Sequence, residues 1–259
     1  IVTPNGFENN FVPSASKFAD ARAAARSKML SVASSLTGHS FDDNTFIVVT
    51  SGRCEYRNKG IDLFLDSMTH MSYDNLDRPV LAFVMVPAWV DKARPDLTIA
   101  LDDKALKRLS DPVITHTLHN YNSDPVINRI HQIGFINDAD ARVSVIYVPC
   151  YLNGADGIFD MTYYDLLPGF DASVFPSYYE PWGYTPLESV AFGVPTVTTS
   201  LSGFGQWILD TFTDSFAACG ARVEKRTDSN YDEVCERISD DIASLVNNAQ
   251  AELKKISKA

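Results

Sequence analysis

The sequence predicts an α/β protein built on a doubly wound, mostly parallel sheet. Two observations carry that reading. Apolar, β-branched runs of strand length recur at 45–52, 79–88, 142–149, 172–177, 194–200 and 221–226, and they are continuous rather than alternating. That is the pattern of strands buried on both faces. Segments with helical periodicity separate most of them, and alternation of strand and helix closes into a parallel sheet through crossover connections.

Taken in order, residues 1–14 read as an irregular entry, with "IVTPNG" as the end of a strand running into a turn. A helix is expected over 16–36, rich in Ala and straight-chain residues, and another at "IDLFLDSMTHM", 61–71. The segment 89–100, "WVDKARPDLTIA", reads as a long loop, and 101–121 as a helix. A short helix follows at 187–192, and the chain closes on a helix over 229–257. Neither an internal repeat nor a low-complexity linker interrupts the 259 residues, so a single domain over 1–259 is expected.

Composition narrows the function. A net charge of −11 argues against a nucleic-acid-binding surface, although a local basic cluster can still hold a small phosphorylated ligand. No apolar run approaches the roughly 18 residues of a membrane helix. The first residues have neither the basic start nor the apolar run of a signal peptide, and they lack an initiator Met. The chain therefore reads as a piece of a longer protein. Cys54, Cys150, Cys219 and Cys235 are far apart with no CxxC pair, which fits reduced thiols in the cytoplasm and no metal site.

In a parallel α/β sheet, ligands bind beyond the C-terminal ends of the strands. Three turns there are rich in polar groups. The turn after the first strand, "TSGRCEYRNKGID", places Arg53, Arg57 and Lys59 within seven positions, a cluster able to hold a diphosphate or simply to face solvent. The stretch "FPSYYEPWGYTPLES" at 175–189 puts Glu180 in an irregular turn and Glu188 at the start of a helix. Thr185, Pro186 and Glu188 fit N-cap, N1 and N3 of a capping box, so Glu188 has a purely structural reading too. A helix N-terminus also attracts phosphate, and Gly183 lets the backbone approach it. The third turn, after 142–149, carries Tyr151, Tyr163 and Tyr164, any of which could stack on a base.

Other candidates are weaker. His116 and His119 stand three apart on a predicted helix with no third ligand evident, and His39, His70 and His131 are isolated. "GFG" at 203–205 is not GxGxxG, so a nicotinamide site has little support.

The runs "VTPNG" (2–6), "SGRCEYRNKGIDLFL" (51–65), "FPSYYEPWGYTPLES" (175–189) and "GVPTVTTSLSGFG" (193–205) resemble the C-terminal half of glycogen synthases of the animal and fungal type, with a looser likeness to "VEKR" at 223–226. The resemblance implies a Rossmann-like nucleotide-sugar-binding domain, the C-terminal half of a two-domain GT-B retaining glycosyltransferase. It implies that Arg53 and Lys59 hold the donor diphosphate with Gly183, Tyr184 and Thr185. Glu188 would bind the ribose, Glu180 the transferred glucose, Tyr163 the face of the base and Leu152 its edge. The implied reaction moves glucose from a nucleotide-glucose, with UDP as the expected nucleotide, to an α-1,4-glucan. No metal or other cofactor is expected. The family's acceptor-side domain has no counterpart here, so the chain alone is expected to be inactive and to meet the glucan only through that domain. A related glycosyltransferase with another acceptor and a non-catalytic nucleotide-sugar-binding module stay open, as does assembly into a homo-oligomer. The arginine-rich helix through which some members sense a hexose phosphate is not seen.

Overall fold

The structure is a computed structural model that describes residues 5–104 and 106–256. In chain order the elements are α1 (Ala15–Thr37), β1 (Phe46–Ser51), α2 (Ile61–Met71), β2 (Val80–Met85), β3 (Val90–Ala93), α3 (Pro95–Asp102) and β4 (His116–Leu118). There follow α4 (Pro125–Ile133), β5 (Val143–Val148), α5 (Tyr163–Leu166), β6 (Ala172–Phe175) and α6 (Tyr184–Ala191). β7 (Thr196–Thr199), α7 (Gly203–Thr211), α8 (Ser215–Cys219), β8 (Ala221–Glu224) and α9 (Tyr231–Lys255) complete the chain.

These elements form two compact units drawn from interleaved segments. One contains 13–54 and 78–170. Its parallel strands run in the order β5-β2-β1, with Phe46 opposite Val80 and Val80 opposite Val143. Every residue of these three strands is buried, which explains the absence of alternation in the sequence. α1 packs on this unit through Ala25, Met29 and Leu36, which are fully buried. The other unit contains 1–12, 55–77 and 171–259, and its parallel strands run β6-β7-β8. Ser173 faces Thr196, and Thr196 faces Ala221. Helices α2 and α9 pack together in this unit, with Leu63, Phe64, Ile238 and Ile242 buried. The expected parallel α/β class is the observed one.

Several local expectations are corrected. The segment 89–100 is not a loop: β3 pairs antiparallel with β4, and Pro95 opens α3 as the first-turn residue whose missing N–H costs nothing. The helix expected over 101–121 does not form. Pro112 and the β-branched Val113, Ile114 and Thr115 lead instead into β4, and Tyr147 donates to the Val113 carbonyl at 2.7 Å while Thr115 donates to that of Tyr147 at 3.1 Å. His116 and His119 therefore do not share a helix face. Helix α4, whose cap Asp124 accepts from the amides of Val126 and Ile127, falls in a stretch where no element was expected. Residues 5–14 hold only a short 3-10 turn, and the strand end expected at 1–6 lies mostly outside the described residues.

Candidate active site

The turn at 55–61 closes on itself. Lys59 donates its backbone N–H to Glu55, Gly60 to Arg57 and Ile61 to Tyr56, at 2.8–3.0 Å. Gly60 takes a left-handed φ of 66° and starts α2. The turn then docks on the segment after β6: Tyr178 and Tyr179 both donate to the Asn58 carbonyl, at 2.9 and 3.3 Å. The consequence is an ion pair between the Nζ of Lys59 and Oε2 of Glu180, residues 121 positions apart. Their side chains are 14% and 19% exposed, so water reaches the pair but does not surround it.

Glu180 itself is fixed by backbone. Its carbonyl accepts from Gly203 at 3.0 Å and its N–H donates to Leu201 at 3.4 Å. Two residues on, the Trp182 carbonyl accepts from Phe204 at 2.6 Å, and the two rings meet edge to face at 6.1 Å. Trp182 is 6% exposed in an apolar cluster with Phe204, Ile208 and Ala221. The tryptophan of the Glu-Pro-Trp-Gly turn is thus its anchor, and the glutamate is held on the rim of packed structure.

The capping box expected at Thr185 is not there. α6 begins at Tyr184, two residues earlier than that pattern requires, and its N-cap is Gly183 at φ 110° with no side-chain cap. A glycine in that conformation turns the chain into the helix directly, so Thr185 and Pro186 lie inside the first turn and Glu188 one residue beyond it. Glu188 is half-buried. A box of the expected kind does form at α5, between Thr162 and Asp165. Lys59, Glu180, Gly183, Tyr184, Thr185 and Glu188 all belong to one unit.

Arg53, Leu152 and Tyr163 belong to the other unit. Within it, Tyr163 donates its backbone N–H to Leu152 at 3.1 Å, and its hydroxyl accepts from Ser51 at 2.8 Å, the last residue of β1. Arg53 follows Ser51 by two residues and is exposed. The two residues expected at a base, Leu152 in the loop after β5 and Tyr163 at the start of α5, therefore sit together against the end of β1.

One residue went unassigned. Arg226 is 7% exposed, stacks over Tyr178 at 5.0 Å and Tyr231 at 5.8 Å, and donates to the Pro176 carbonyl at 2.7 Å. The only sequence signal for it was the end of the "VEKR" run.

The parallel α/β architecture has the fold of a glycosyltransferase C-terminal domain. The structure superposes on such a domain, from a group 1 family glycosyl transferase of Francisella tularensis, with a TM-score of 0.53 and 15% identity, covering 96% of this chain and 92% of that one. The chain belongs to the glycogen synthase family, whose model matches residues 97–257. It is 29% identical to glycogen [starch] synthase isoform 1 of Saccharomyces cerevisiae, over 80% of this chain and 38% of the relative. It is also 29% identical to the liver glycogen [starch] synthase of Homo sapiens, over 92% of this chain and 42% of the relative. The chain thus spans about two fifths of the length of these curated relatives.

Proposed function

We propose that this chain is the donor side of a retaining glucosyltransferase that takes glucose from a nucleotide-glucose, UDP-glucose by expectation, and adds it to an α-1,4-glucan. The observation that carries the reading is the Lys59–Glu180 pair held next to the opening of α6. Lys59 offers a point charge to a diphosphate, and the first-turn amides of α6 offer donors and a partial positive charge. Glu180 accepts hydrogen bonds from sugar hydroxyls and stabilises positive charge developing at the anomeric carbon. Departure of the nucleotide diphosphate is then assisted by fixed protein charge, without a metal being required. Glu188 serves the ribose. For Arg53, Leu152 and Tyr163 we propose the roles the family resemblance gives: diphosphate, base edge and base face. Four free thiols fit a cytoplasmic setting.

Titration calorimetry with UDP and with uridine tests the assignment. Lys59→Ala should weaken UDP binding by roughly 1.5–3 kcal/mol, the scale of a charge-assisted hydrogen bond, and leave uridine nearly unchanged. Equal losses for both ligands would remove Lys59 from the diphosphate. In the full-length protein, Glu180→Gln should abolish incorporation of radiolabelled glucose into glycogen while UDP still binds.

A further inference from the structure

The unit containing β1, β2 and β5 carries a second constellation that none of the donor-binding roles uses. His116 stands on β4, Cys150 follows β5 by two residues, and Asp156 lies in the loop between Cys150 and α5. One ligand atom from each, an imidazole nitrogen, a thiol sulfur and a carboxylate oxygen, falls within 4.8 Å of the other two. His116 and Asp156 side chains are 2% and 1% exposed, and Cys150 is 7% exposed. We propose that His116, Cys150 and Asp156 form a binding site for one zinc-type divalent cation, which pins the loop after β5.

The donor set and its spacing support this. Nitrogen, sulfur and oxygen together suit a borderline-soft cation rather than calcium or magnesium. A tetrahedral ion with bonds of about 2.0–2.3 Å sets its ligand atoms about 3.3–3.8 Å apart. Nε2 of His116 and Oδ1 of Asp156 are 3.8 Å apart and no pair of ligand atoms exceeds 4.8 Å, so an ion between them draws the three groups inward.

The outer partners are of the kind that orient metal ligands. Nδ1 of His116 is 2.8 Å from the Thr115 hydroxyl, which lies 3.4 Å from the Tyr147 carbonyl. With Nδ1–H donating to Thr115 and Thr115 donating onward, Nε2 is left as the ligating lone pair. The Asp156 carboxylate is held by the amides of Ile158, Phe159 and Asp160, at 3.1, 2.8 and 2.9 Å. His116 also lines a cavity of about 350 Å³ together with Arg94 and Asp111, and three protein ligands leave a fourth position for water.

Binding converts the Cys150 thiol to a thiolate and releases its proton. The competing arrangement is a buried histidine whose Nε2–H donates to the Asp156 carbonyl, 3.1 Å away.

Cobalt(II) chloride titrated into chelator-treated protein separates the two. The expected result is a near-ultraviolet thiolate-to-cobalt charge-transfer band that saturates at one ion per chain, releases one proton and is displaced by zinc chloride. Cys150→Ser should remove the band, and Asp156→Asn should weaken cobalt at least tenfold. Cys54→Ser, Cys219→Ser and Cys235→Ser should each keep it. Absence of the band from the wild-type protein, or its survival in Cys150→Ser, overturns the site. The wild-type titration decides the question even if a variant fails to fold.

Discussion

Gly60 presses on Pro176: a methyl group on Gly60 would lie 2.1 Å from the Pro176 carbonyl oxygen. Arg226 donates to that same oxygen. The contact sets where the Lys59 turn meets the segment leading to Glu180, so the ion pair depends on a residue with no side chain. Gly60→Ala must relieve both the clash and a left-handed φ. It should cost about 2–5 kcal/mol, the sum of the strain of that conformation and of overpacking. Urea unfolding gives the number. A variant that unfolds at the wild-type midpoint would show that the turn does not bear on Pro176.

The start of α6 makes a second prediction. Gly183→Ala should destabilise by about 1–2 kcal/mol, because φ 110° is outside what an L side chain readily adopts. Thr185→Ala should change the thermal midpoint by less than loss of an N-cap does, about 1 kcal/mol, since Thr185 lies inside the helix. Reversal of that ranking in melting curves would restore the capping box.

Asp241 supplies a pH dependence. Burial, the largest cause, raises it from 3.8 to about 6, with Glu224 raising it further and Arg222, 2.6 Å away, opposing. The folded state therefore holds a proton between about pH 4 and 6 that the unfolded state has released. Stability from this group is present below about pH 4 and is lost as pH rises through about 6. Asp241→Asn removes that slope. Comparing wild type and variant by denaturant unfolding at pH 4.5 and 7 should show the variant gaining relative stability at the higher pH; a constant difference would contradict the shift.

How much of this was legible depends on range. β1, β2 and β5 could be read because burial on both faces writes continuous apolar runs. β4 could not, because three residues with a histidine and a threonine carry no period, and a helical reading absorbed them. The Thr185 pattern was a correct motif in the wrong place: local spacing allowed it, and the backbone freedom of Gly183 moved the helix start. The Lys59–Glu180 pair spans 121 positions, and nothing in the local spacing announces it; the family resemblance gave the two residues separate roles and no pairing. His116 was weighed with His119 as a ligand pair lacking a third member; Cys150 and Asp156 are 34 and 40 positions away from it, and only the fold joins them.

The interleaving of the two units has a consequence for synthesis. The last segment of one unit ends at Phe170, whereas the other needs 171–259 to be complete. During translation every segment of the first has been made by Phe170, while residues 55–77 wait for strands not yet emerged. Lys59 thus leaves the ribosome as part of an unfinished half, and its partner Glu180 arrives 121 residues later. At about 5–20 residues per second that is an interval of roughly 6–24 seconds. During it the buried face of α2, with Leu63, Phe64 and Leu65, has no core to enter.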